Sequence, residues 1–92
     1  MAPGAAAEAA GVASVLELGR DVVDEAGGSA ESIGRLTIYV TRKADYLADL
    51  RAIGEAYRAV LGKVYPAMTL VEVQDLLETG ALVEIEATAV IP

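Results

Sequence analysis

Tyr65-Pro66-Ala67-Met68-Thr69-Leu70-Val71-Glu72-Val73 is the stretch whose reading decides the fold. It follows a periodic helical pattern that closes at Gly62. Pro66 forbids re-entry into that helix and biases its neighbour toward extended backbone, and a β-branched run follows. The spacing predicts a strand over 68–73. Thr69, Val71 and Val73 share one face of it, and Met68, Leu70 and Glu72 share the other, because strand side chains alternate.

Working outward, the preceding segment presents Tyr46, Leu47, Leu50, Ile53, Tyr57, Val60 and Leu61 at helical spacing. Thr41 is its expected N-cap and Gly62 its C′ residue. Asp49, Arg51, Glu55 and Arg58 are expected on the solvent side, with Arg51–Glu55 and Glu55–Arg58 as candidate ion pairs. Tyr46 and Tyr57 read more readily as core or interface residues than as cofactor contacts. Before this helix, Leu36, Ile38 and Val40 alternate with Arg35, Thr37 and Tyr39, a strand with one aliphatic face. Earlier still, Val12, Val15, Leu16, Gly19, Val22, Val23 and Ala26 form one helical face, opposite Glu17, Arg20, Asp21 and Asp24. Gly19 costs about 1 kcal/mol there, so a close approach of helix to sheet is expected at it. Gly27-Gly28 ends that helix, and Met1–Ala10 is expected to fray.

Downstream, 74–80 is a loop in which Leu76 and Leu77 are expected to tuck underneath. The final stretch, 82–91, reads as the longest strand, with Val83, Ile85, Ala87, Ala89 and Ile91 toward the core. The order α-β-α-β-β, without repeats or linkers, makes one domain over 1–92. Its class is α+β, with two helices on one face of a small sheet. The other sheet face is expected to carry Tyr39, Met68, Leu70, Glu84 and Val90. That is too apolar for full exposure, so a neighbouring subunit is its expected cover.

Composition narrows the function classes. Ninety-two residues suffice for one domain, and 54% of them are apolar, without Trp or Phe. The core must be aliphatic. Fourteen acidic residues against seven basic give a net charge of −7, which disfavours nucleic acid and anionic membrane surfaces. No cysteine or histidine is present. That removes disulfides, thiolate nucleophiles, Ser-His dyads and the commonest zinc ligands. No metal-ligand spacing, phosphate loop or cofactor motif stands out, so no metal and no cofactor are expected. No apolar run is long enough to span a membrane, and the N-terminus lacks the basic region of a secretory signal, so a cytoplasmic location is expected. Catalysis would fall to carboxylates, tyrosines or backbone dipoles. Glu84 and Glu86 are the suggestive pair, side by side on one strand face. The plain alternative is a solvated edge, or pairing with Arg35.

Four segments together carry a family resemblance. Glu25-Ala26-Gly27 with Glu31-Ser32-Ile33 resembles a helix end and turn of the Rid family (YjgF, reactive-intermediate imine deaminases), and Leu36–Thr41 resembles its first matching strand. Asp45-Tyr46 through Tyr57 is similar to its second helix. Tyr65-Pro66-Ala67-Met68-Thr69 and Val83-Glu84-Ile85-Glu86-Ala87 resemble its proline-alanine-arginine and EIEA signatures. The resemblance implies a Rid/chorismate-mutase-like α+β fold with a small mixed sheet, shortened at the N-terminus by the absence of the family's opening strands. It implies a homotrimer with small-molecule clefts between subunits. It also implies hydrolysis of enamines and imines, made from amino acids, to 2-keto acids and ammonia. An Arg clamps the substrate carboxylate in that chemistry, and a Glu matching Glu84 handles water and proton. Here the Arg position is Met68, which cannot make a bidentate charge-assisted pair. A helix Asn common near the cleft is Leu50.

The expected site is therefore a cleft with Met68, Leu70 and Tyr39 binding the ligand and Glu84 as the catalytic candidate. Three readings stand. One is a divergent Rid-like oligomer that binds a less acidic or more apolar molecule without standard imine deaminase activity. Another is a deaminase or related hydrolase with Glu84 as acid-base. The third is a structural or regulatory oligomer with a vestigial cleft. The chain is either a late-start product of a longer protein or a member that lacks those strands.

Overall fold

The computed structural model describes residues 5–92. The expected frayed segment lies partly outside the described residues, and from Ala5 the chain is helical. Helix α1 spans Ala5–Glu25. Among its described side chains, Val12, Leu16 and Val23 are buried, at spacings of four and seven that keep them on one face. Val22 and Ala26, counted with that face in the sequence, are exposed. Gly27 (φ 93°) supplies the left-handed residue that stops the helix. Its N–H donates to the Asp24 carbonyl at 3.1 Å and that of Gly28 to the Val23 carbonyl at 2.9 Å, a Schellman ending.

Gly19 is not where the helix approaches the sheet, because a Cβ built there would meet nothing within 4 Å. The close approach is at Gly11, whose added Cβ would lie 3.1 Å from Val83 Cγ1. Arg20, assigned to solvent, instead folds onto the next layer. Its Nη1 donates to the Val60 carbonyl at 2.8 Å, satisfying a terminal carbonyl of another helix.

A 3₁₀ turn, Ala30–Ser32, leads into β1, Ile33–Val40. The second helix is broken in two, α2 at Lys43–Ala48 and α3 at Leu50–Leu61. Asp49, at φ −139° and ψ 50°, is the break. Tyr46, Ile53, Tyr57, Val60 and Leu61 are buried as expected, while Leu47 and Leu50, which flank the break, are exposed. Thr41 is not the cap. The residue before α2 is Arg42, and the Lys43 N–H donates to Glu72 Oε1 at 2.8 Å, so the carboxylate comes from the far end of a strand. Gly62 (φ 67°) ends α3.

Strand β2 spans Ala67–Glu72 and β3 spans Val83–Ala89. β3 is shorter than β1, not the longest. The sheet order is β2-β1-β3, with β1 and β2 parallel and β1 and β3 antiparallel. The fold is thus α+β with a three-stranded mixed sheet and is Rid/chorismate-mutase-like. Leu36, Ile38 and Val40 are at most 2% exposed and pack with Val12, Leu16 and Ile53, so the helices cover this face. Each such aliphatic contributes about 1.5–3 kcal/mol on burial.

The register corrects one expectation about β2. Leu36 pairs with Met68 and Ile38 with Leu70, so Met68 and Leu70 lie on the helix-covered face. They do not share a face with Tyr39 and Glu84. Leu77, expected beneath its loop, is 97% exposed.

Candidate functional site

Parallel pairing is what carries Met68 toward the helices. On the side of β2 away from β1, nothing completes the sheet among the described residues. Met68 therefore sits at the sheet margin, beside α3. There it lines a pocket of ≈ 240 Å³. Val12, Ile38, Ile53, Tyr46 and Tyr57 are its buried floor and walls. Leu50, Tyr65, Met68 and Arg58 are its exposed rim. The size suits a compact ligand, just below the usual range for small-molecule sites.

Two tyrosines shape its wall. Tyr57 Oη donates to the Val64 carbonyl at 2.8 Å and so fixes the turn between α3 and β2. Burial, and then the nearby Tyr65, push the Tyr57 phenol above its ordinary value, so it stays neutral through neutral pH. Tyr65 projects with 76% of its surface exposed. Arg58, expected to point to open solvent, instead lines this rim. Its Nη1 lies 3.5 Å from where a Cβ at Gly54 would stand, so the side chain folds back along α3 over the glycine. The expected Glu55–Arg58 pair is absent, because Glu55 pairs with Arg51 at 3.6 Å. The Gly54–Arg58 spacing of four was the sequence signal for this arrangement.

The opposite sheet face holds the other candidates. Tyr39 pairs with Glu84 and Thr37 with Glu86 across β1 and β3, while Arg35 faces Thr88. Glu84 and Glu86 are exposed and Tyr39 half-buried. Neither glutamate pairs with Arg35 among the described residues. The four expected site residues thus fall into two sets, Met68 with Leu70 and Tyr39 with Glu84, separated by the sheet. A wider open depression of ≈ 530 Å³, bordered by Glu31, Lys63 and the end of α3, lies apart from both sets. No cluster of carboxylates able to hold a metal occurs among the described residues.

The profile of the endoribonuclease L-PSP family matches residues 4–91, nearly the whole chain. The chain belongs to this family, the YjgF/Rid family. Solved structures agree. A protein of unknown function from Pseudomonas aeruginosa is 38% identical with a TM-score of 0.71, covering 85% of this chain and 54% of its own. A member of the YjgF/YER057c/UK114 family from Mycobacterium tuberculosis is 32% identical with a TM-score of 0.71, covering 87% and 64%. RidA from an Antarctic Psychrobacter is 30% identical with a TM-score of 0.67, covering 83% and 58%. This Rid-family chain thus spans less than two thirds of each of these relatives. No curated protein matches it. No helix among the described residues is long and apolar enough to cross a membrane.

Proposed function

We propose that this Rid-family chain forms a homo-oligomer, a trimer by family resemblance. In this reading it binds a less acidic or more apolar small molecule than the family's amino-acid-derived imines, without standard imine deaminase activity. The observation that carries the reading is Met68 at the Arg position, on the rim of a pocket whose floor is apolar. A thioether offers no charge-assisted donor to a substrate carboxylate, and its contacts favour aliphatic or aromatic groups. The split of candidates supports the oligomer. A site using both Met68 and Glu84 takes them from different subunits, because one sheet separates them within a subunit. The exposed apolar rim residues Leu50, Tyr65 and Met68 are surface that a neighbouring subunit would bury.

A second reading has one observation in its favour: Glu84 is exposed beside Tyr39 on the uncovered face, as an acid-base residue needs to be. The experiment that separates the two supplies imines from an amino-acid oxidase and follows keto-acid release. The first reading predicts release at the uncatalysed rate, unchanged by Glu84→Gln. Accelerated release that Glu84→Gln abolishes would establish the second. A purely structural oligomer would neither accelerate release nor bind any small molecule in the pocket.

A further inference from the structure

Helix α1 and strand β3 run side by side along the whole strand. Near the start of β3, a Cβ added to Gly11 would lie 3.1 Å from Val83 Cγ1. Just past its end, a Cβ added to Gly28 would lie 2.8 Å from Ile91 Cδ1. Gly11, Leu18 and Val22 fall on one line of the helix, at spacings of seven and four. Gly11 puts that line on the β3 side. The opposite side of α1 belongs to Arg20, which reaches the Val60 carbonyl of α3. Leu18 and Val22 therefore overhang β3 on the side away from α3, and they are 67% and 68% exposed. Beneath them β3 is an edge strand, with no partner beyond it among the described residues. Such an edge carries a row of backbone donors and acceptors open to pairing.

We infer that this lip and edge form a docking slot for an extended segment of a separate polypeptide, with apolar and basic side chains alternating along one face. The segment adds a strand to β3 through backbone hydrogen bonds, and its apolar side chains lie under Leu18 and Val22. The spacings agree, since residues four apart on a helix rise about 6 Å and alternate residues of a strand about 6.6 Å. The next position on that face meets Glu25, which with Asp21 borders the lip, and both carboxylates are exposed. The one basic residue of α1 is Arg20, turned the other way, so a lysine or arginine of the partner is the complementary side chain. A second copy pairing edge to edge fits poorly. It would set the two β3 strands about 4.8 Å apart, and their α1 helices, each following its own strand, need about 8–10 Å. The four residues ahead of α1 are too few to line the seven of β3. The slot lies at β3 and the Met68 pocket at β2, on opposite margins of the sheet, so each can be filled without the other.

The test is a titration of the 92-residue chain with a nine-residue peptide of alternating threonine and valine that carries a lysine at each end. A peptide of the same pattern with glutamate at each end is the control. The readouts are the Leu18 and Val22 methyl resonances and hydrogen exchange at the β3 amides. The lysine peptide should shift both methyls and slow exchange at alternate β3 amides. It should bind about fivefold more tightly than the glutamate peptide, the size expected of exposed charge contacts, and Glu25→Gln should narrow that preference. Leu18→Gln and Val22→Gln, at exposed positions where folding is expected to survive, should each weaken the lysine peptide about tenfold. Equal binding of both peptides, indifferent to Glu25→Gln, would overturn the basic partner. Unchanged methyls and β3 amides with either peptide would overturn the slot while leaving the ligand reading of the Met68 pocket untouched. Slow exchange at the β3 amides of the free chain that is lost on dilution would show a second copy in the slot and would also overturn the inference.

Discussion

Replacing Tyr57 by Phe tests the joint between α3 and β2 that positions Met68. Phe keeps the buried ring and removes only the hydroxyl that donates to the Val64 carbonyl at 2.8 Å. A net hydrogen bond is worth about 1 kcal/mol, and the half-buried Val64 carbonyl loses its partner without being sealed from water. The expected loss is therefore about 1 kcal/mol, or about 4–8 °C in Tm for a domain of this size. The pH dependence sharpens the test. Burial and the neighbouring Tyr65 raise the Tyr57 pKa above 10.0 in the folded chain, so the unfolded chain ionises first. Stability from Tyr57 is then fully present below about pH 10 and is lost as pH rises from there through the higher folded value. Thermal melts of both proteins from pH 8 to pH 11 should show a wild-type advantage at pH 8 that narrows above pH 10. Equal stability at pH 8, or an advantage that stays constant to pH 11, would refute the reasoning.

Other substitutions probe separate parts of the account. Gly19→Ala should stabilise by about 1 kcal/mol in chemical denaturation, because the added methyl meets nothing within 4 Å and the helix loses a flexible residue. Loss of stability would mean that α1 packs more tightly there. Glu72→Ala should cost about 1 kcal/mol and speed hydrogen exchange at the Lys43 amide, whose partner it removes. Leu36→Ala, at a side chain 1% exposed between the sheet and the helices that cover it, should cost about 2–5 kcal/mol in urea unfolding. A cost below about 1 kcal/mol would contradict its place at the centre of the sheet.

How far the sequence disclosed this structure differs from element to element. Leu36, Ile38 and Val40 were legible because their neighbours Arg35, Thr37 and Tyr39 are polar or amphipathic, so the period of two marks a single buried face. In β2 both parities mix apolar and polar residues, Met68 and Leu70 with Glu72 on one side and Thr69 with Val71 on the other. Alternation alone cannot say which side meets the helices, and the pairing of Leu36 with Met68 settles it. The break at Asp49 has no Gly or Pro to announce it, and it turns Leu47 and Leu50 outward from a face that would have been continuous. Leu76 and Leu77 were assigned burial from hydrophobicity alone, yet Leu77 has no apolar partner to cover it. Arg58 was read as solvent-facing because charge predicts exposure. Its exposure is real, but its direction is set by the bare surface of Gly54.

The family signature survives these shifts, since Pro66 directly precedes β2 and Glu84 and Glu86 lie on β3, even though the sheet divides Met68 from Glu84. Everything proposed for the site depends on that division. Nuclear Overhauser contacts from the Met68 methyl measure it most directly. The account predicts contacts from this methyl to the Tyr57 and Tyr65 rings and none to Tyr39 within a subunit. Contacts to Tyr39 in the same subunit, without those to Tyr57, would contradict it.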